Sequence, residues 1–272
     1  MPAYDPSDYW SSLHARGAHE STVGYPELAD SLNAAMYRST ERSVTRALTD
    51  AGVDVAGGQV LDIGSGTGIW IDYWQRRGAA RLTGVDLAEQ SVQHLRVACP
   101  GVDFARVDIG DADAELPEGN DVVSAMSILL HIVDADRFRR AIANLAGALR
   151  PGGVLVAIEP VVVHHWWGPS FGPEATSRAR PLREYEAAFA DAGLELQLLR
   201  PATVLLSNVV DTRAAWSFRV LQRYWSLVML AVGRRESLGR VAAGVLEPLD
   251  GWASRRMATG PSAKVLIARR AR

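Results

Sequence analysis

The stretch Val60–Trp70, VLDIGSGTGIW, constrains this chain more than any other. An apolar run ends in Asp62, and Gly64, Gly66 and Gly68 follow at alternate positions. That order predicts a buried parallel strand, a tight glycine turn and the start of a helix. Glycine permits turns that a Cβ would block and lets a ligand lie against the main chain. The helix start adds unpaired N–H groups and partial positive charge, which suit an anionic group. Asp62, just before the turn, can accept hydrogen bonds from a ligand's ammonium group, directly or through water. A nucleotide cofactor is therefore expected here.

The dinucleotide fingerprint G-x-G-x-x-G needs a third glycine where Ile69 stands; the spacing here is G-x-G-x-G. With the acid two places upstream, D-x-G-x-G-x-G between a strand and a helix resembles motif I of the class I S-adenosylmethionine-dependent methyltransferases. The resemblance covers Val60–Ile158 and, more loosely, the closing strand. It implies an α/β fold, a Rossmann-like doubly wound sheet of about seven strands whose last strand is antiparallel. It also implies S-adenosyl-L-methionine as cofactor, S-adenosyl-L-homocysteine as product, and a turn of Gly64, Ser65 and Gly66 against the ligand. Asp86, which ends TGVD, matches the acid that accepts hydrogen bonds from both ribose hydroxyls, a task for which a carboxylate has two acceptor oxygens. Asp108, in RVDIGD, matches the residue that meets the adenine amino group, with Leu87 as an apolar face and the Ile109 N–H toward the ring. Ala125, Met126 and Ser127 fall where the family lines the methionine part of the cofactor. His131 matches a recurrent histidine whose neutral imidazole could take a proton from a substrate hydroxyl or amine. Many relatives carry an acid immediately before that histidine; Leu130 stands here. Any one of these acids could simply cap the next helix, and His131 could simply hold its loop. Asp62, Asp86 and Asp108 together, each at a strand's C-terminal end, favour the cofactor.

The rest of the pattern alternates strand and helix, which implies a parallel sheet covered on both faces. Strands are expected at 59–63, 81–85, 102–107, 121–127, 154–158, 194–199 and 263–268. Helices are expected at 67–77, 88–98, 135–149 and 182–192. Ahead of them, residues 1–58 read as a helical extension or lid, with a helix over 27–50 whose stripe is Leu28, Leu32, Met36, Val44 and Leu48. The core is then 59–200 plus 263–272. Between the sixth and seventh strands the family has a short hairpin; this chain inserts residues 201–262, with helices expected over 212–232 and 238–257. Trp216, Val220, Tyr224 and Leu227 are in helical phase there, so the insertion reads as a cap or a homodimerisation element.

A net charge of −2 over 272 residues and the absence of a basic stripe argue against a nucleic-acid partner. Cys99 is the only cysteine, so no internal disulfide forms. No signal peptide or membrane span is visible, and a cytoplasmic protein is expected. Lys264 is the only lysine, taken as codon bias. His164 and His165 are adjacent and would point to opposite sides of an extended chain, so no metal site is expected. With Trp166, and with Tyr9, Trp10 and His14 from the N-terminal side, they are candidates to line a substrate pocket. Six tryptophans outside the sheet and its helices suggest an apolar or aromatic small-molecule methyl acceptor. An NAD-dependent oxidoreductase and a catalytically silent cofactor-binding scaffold stay open as alternatives.

Overall fold

The computed structural model describes residues 24–168 and 175–272. In chain order its elements are α1 (Asp30–Asp50), β1 (Gln59–Ile63), α2 (Ile69–Arg76), β2 (Arg81–Asp86), α3 (Glu89–Ala98), β3 (Asp103–Arg106) and β4 (Asn120–Met126). They continue with α4 (Ala135–Ala148), β5 (Leu149–Glu159), β6 (Val161–Val162), β7 (Arg180–Pro181), α5 (Leu182–Asp191), β8 (Leu194–Pro201), α6 (Ala215–Val232), α7 (Glu236–Arg256) and β9 (Lys264–Arg270).

Seven strands make one sheet in the order β3-β2-β1-β4-β5-β9-β8. Neighbours from β3 to β5 are parallel, and β9 runs antiparallel to both β5 and β8. This is the expected Rossmann-like doubly wound sheet with its reversed last strand. The central strands are apolar on both faces because helices cover both faces. One core lies under α4 and α5 and includes Phe138, Ile142, Tyr185 and Phe189. The other lies under α1, α2 and α3 and includes Leu48, Trp74, Leu95 and Phe104.

Most elements shift by one to three residues from their expected bounds, and for β5 and α1 the local reason is visible. β5 begins at Leu149, ahead of the Pro151-Gly152-Gly153 turn, because Leu149 still pairs with Asn120; the extra residues are absorbed as a register shift against β4. α1 begins at Asp30, because the Asn33 side chain folds back to hydrogen-bond the Tyr25 main chain and holds the segment before it off the helix.

The insertion departs most from its expected packing. α7 packs along α1, and the α6–α7 turn delivers the Gly233 carbonyl to the Ala29 N–H. Phe218, Trp225 and Val232 form the buried face of α6, while Trp216, Val220 and Leu227 point outward. α6 is apolar on both sides, so helical phase alone cannot say which side is inside.

Candidate active site

A parallel sheet binds ligands beyond its strand C-termini, where the strand order reverses. Here that point lies between β1 and β4, and a cavity of about 900 Å³ opens there. Gly64, Gly66 and Gly68 all have left-handed φ, at 67°, 54° and 88°. A Cβ on Gly64 would stand 2.2 Å from Ile128 Cδ1, and one on Gly68 2.8 Å from Leu95 Cδ2. The turn is thus tight both for its own backbone and for its neighbours. Gly64, Ser65 and Gly66 line the cavity, with Asp86, Leu87, Asp108, Ile109, Met126 and Ser127.

Asp86 is anchored by main-chain donors: Gly66 N–H to Oδ2 at 2.7 Å and Ala88 N–H to Oδ1 at 2.8 Å. The Ser91 hydroxyl lies 3.1 Å from Oδ2 but 2.7 Å from the Gly66 carbonyl, and with one proton it donates to the nearer. Each Asp86 oxygen therefore keeps one lone pair for a further donor, which suits a vicinal diol. Asp108 is held differently, by Gly110 N–H at 2.9 Å and by the Arg137 guanidinium at 2.6 Å. Ser127, which follows β4, has φ 61°, a left-handed conformation uncommon outside glycine.

Asp62 and Ala125 do not line this cavity. Ala125 is fully buried in the sheet, paired with Ile63, and Met126, Ser127 and Ile128 take the cavity wall instead. Asp62 is buried beneath the turn. Its Oδ1 accepts from the Ser124 hydroxyl, which in turn accepts from Trp74 Nε1 at 3.0 Å. Its Oδ2 is buried without a partner. Desolvation pushes this carboxyl up to about 7. An orphaned buried acceptor beside a glycine turn is a place for a ligand's donor.

His131 lies on a single 3-10 turn, Leu129–His131, and lines the cavity. Its Nδ1 is 2.9 Å from the Thr176 carbonyl. A carbonyl only accepts, so the neutral ring carries its proton on Nδ1 and its basic nitrogen is Nε2. Burial lowers its pKa, which keeps the ring neutral at pH 7.

Two buried ionisable residues that sequence reasoning did not place hold this turn. Glu159 Oε1 accepts from the N–H groups of Ile128 (3.1 Å) and Leu129 (2.8 Å). Arg180, fully buried, donates to the carbonyls of Leu129 (3.1 Å) and Ile132 and stacks over Phe138 at 4.1 Å. One residue satisfies the turn's donors and the other its acceptors. A signal for Glu159 was present, because an acid closing the apolar run VLVAIE must be buried or functional. Nothing local marks Arg180.

Of the candidate substrate residues, Trp166 lines the cavity, and its ring meets Phe218 of α6 edge-on at 6.3 Å. His164 and His165 are exposed and are not among the lining residues; the His165 ring sits 4.0 Å from Trp167 instead. Their backbone explains this. The N–H groups of Val163 and His164 donate to Asp211 Oδ2 at 2.9 and 2.7 Å, which fixes the loop with both imidazoles outward. Tyr9, Trp10 and His14 lie outside the described residues. The cavity gains an aromatic and apolar wall from residues not foreseen: Tyr25, Tyr37 and Trp70, with Met36 from the α1 stripe.

Residues 60–153 match a family model described as a methyltransferase domain. This stretch of the chain is a methyltransferase domain. The assignment sets aside the dinucleotide-dependent oxidoreductase. The chain is 33% identical over 111 residues to the ubiquinone biosynthesis O-methyltransferase of Neisseria meningitidis serogroup C (strain 053442), covering 39% of this chain and 45% of the relative. It is 35% identical over 108 residues to the protein of the same name from Chromobacterium violaceum, covering 38% and 45%. The chain thus matches somewhat under half the length of these curated relatives. The methyltransferase fold extends further. A magnesium protoporphyrin IX methyltransferase from Synechocystis PCC 6803, crystallised with bound S-adenosylmethionine, superposes with a TM-score of 0.56 at 14% identity, covering 100% of both chains. A crystallised (4+2)-cyclase superposes with a TM-score of 0.54 at 22% identity, covering 85% of this chain and 80% of the cyclase.

Proposed function

We propose that this chain transfers a methyl group from S-adenosylmethionine to an oxygen, nitrogen or carbon nucleophile of a small apolar or aromatic molecule. The observation that carries this reading is a single cavity, acidic and glycine-walled at one part and aromatic at another. The residues fit the cofactor. Asp62 Oδ2, beneath the turn, is an orphaned acceptor that would meet an ammonium group through water, the two open lone pairs of Asp86 match two ribose hydroxyls, and Gly64 leaves no room for a Cβ. When bound, the cofactor supplies a methyl carbon made electrophilic by its sulfonium.

What this chain's residues do follows from their placement. Tyr37, Met36, Trp70 and Trp166 exclude water and orient the acceptor. Orientation of this kind reaches effective molarities of about 10⁵–10⁸ M. His131 Nε2 takes the acceptor's proton when the nucleophile is a hydroxyl, and Glu159 and Arg180 keep its turn in place. The relatives named O-methyltransferases make phenols the first acceptors to screen. The (4+2)-cyclase is a reminder that this fold also carries other chemistry, so product analysis has to accompany binding.

Calorimetric titration with S-adenosylmethionine, S-adenosylhomocysteine and NAD tests the reading: the first two should bind and the third should not. Asp86→Ala should weaken cofactor binding by about 1–3 kcal/mol, the usual loss when a buried polar contact goes unmade. Unchanged affinity in a folded Asp86→Ala protein would remove Asp86 from the site. With a phenolic acceptor, His131→Gln should lower kcat by roughly 10²–10⁴-fold. Activity of the unmutated protein should fall on acidification only below the ordinary histidine range, because burial lowers the His131 pKa.

A further inference from the structure

The two insertion helices expose an apolar face that nothing among the described residues covers. On α6, Trp216 (69% exposed), Val220, Leu227 and Leu230 (77%) form one stripe. On α7, Leu238, Val241 (67%), Val245, Leu249 and Trp252 form another. Both stripes lie opposite the faces that pack inward, through Phe218, Trp225 and Val232 on α6 and Gly239, Ala243 and Asp250 on α7. A monomer rarely leaves so many large apolar side chains together in water.

The charges of the same hairpin are sorted by side. Arginines stand exposed along it, among them Arg219, Arg223, Arg240, Arg255 and Arg256, and Arg256 stacks over Trp252 at 5.3 Å. The acids of α6 and α7 are Glu236, Glu247 and Asp250, and all three turn toward the body. Glu236 accepts from the Ser31 N–H, Glu247 pairs with Arg38 and Arg42 of α1, and Asp250 is buried as an acceptor for the main chain of 204–206. The outward face is therefore apolar and cationic in a chain whose net charge is −2.

We infer that this face docks on an anionic lipid surface. Tryptophans and aliphatic side chains enter the headgroup boundary, and the arginines meet lipid phosphates. The charge pattern selects this occupant over a second copy of the chain. A two-fold pairing of the face would set arginines against arginines, with no outward acid to answer them. Docking is peripheral, since no helix among the described residues is long and apolar enough to cross a membrane. The docked face is also coupled to the cavity wall. Tyr25 lines the cavity and packs on Trp225 at 5.1 Å, and the Tyr224 hydroxyl donates to the Leu205 carbonyl. An apolar acceptor dissolved in the bilayer would thus be met close to the cavity.

Co-sedimentation of the full chain with vesicles tests this without reference to catalysis. Vesicles of phosphatidylcholine with phosphatidylglycerol should pellet the protein, and pure phosphatidylcholine should pellet far less. Arg219→Gln with Arg223→Gln should weaken binding to the anionic vesicles by roughly 30-fold. Leu227→Ser with Leu230→Ser should weaken it as well, while circular dichroism stays unchanged. Failure to pellet with anionic vesicles overturns the inference. So does a sedimentation-velocity dimer that Leu227→Ser with Leu230→Ser dissociates, which would assign the face to a second copy.

Discussion

The proposed cofactor half and the proposed acceptor half of this cavity are built by opposite means. The cofactor half is centred on one local segment: strand end, turn and the start of the following helix lie within Val60–Trp70, and Asp86 is held there by the main-chain N–H groups of Gly66 and Ala88. The acceptor half is assembled from distant segments held by buried charges. Asp250 of α7 accepts from the main chain of 204–206 and from the Ser39 hydroxyl of α1. Asp211 ties Val163 and His164 to Lys264 of β9, and Glu159 and Arg180 brace the His131 turn. The comparison teaches that the half with the recognisable motif needs few special side chains, whereas the half without one depends on several buried ionisable groups.

Breaking that comparison should be easiest at Lys264, whose ammonium and its partner Asp211 are both fully buried. Lys264→Met leaves Asp211 as an uncompensated buried charge and should cost about 3–5 kcal/mol in chemical denaturation. A change below about 1 kcal/mol would mean that the acceptor wall does not rest on this pair. Asp250→Ala removes one acceptor from three main-chain donors and should cost about 3 kcal/mol. In that variant, acceptor KM should rise more than cofactor affinity falls, because Thr203 and Ser207 of the same loop line the cavity. An equal loss of both would erase the distinction between the halves.

The smallest effect sharpens the comparison through pH. Burial pushes the Glu159 carboxyl up to about 8 from an ordinary 4.5. The folded chain therefore holds a proton that the unfolded chain releases. The stability this confers is fully present below about 4.5 and is lost as pH rises through about 8. Glu159→Gln keeps an acceptor for Ile128 and Leu129 and cannot ionise, so its denaturation midpoint should decline less over that window. A parallel decline in both proteins would assign the pH dependence to other groups, with Asp62, raised to about 7, the first to test.

Lys264 shows what composition can hide. Read as the single lysine of an arginine-rich chain, it looks like codon bias. In the fold it opens β9 just ahead of the apolar run Val265–Ala268, where a compact ammonium meets Asp211 in a fully buried pair. Trp216 and Trp225 teach a similar lesson on α6. They lie on one helix, yet the first faces outward and the second packs on Tyr25.

By itself the sequence determined the sheet, the glycine turn and the acids at the ends of β1, β2 and β3. Each of these is encoded within a few residues, as apolar runs that must be buried and glycines that must turn. Only the tertiary structure decided which side of α6 is inside, that His164 and His165 face away from the cavity, and that Glu159 and Arg180 frame His131. Those outcomes depend on partners far apart in the chain, such as Asp211 with Val163 and Asp250 with Val204. A buried charge is tolerable only where such a partner arrives, and neither spacing nor hydropathy along the chain records where that will be.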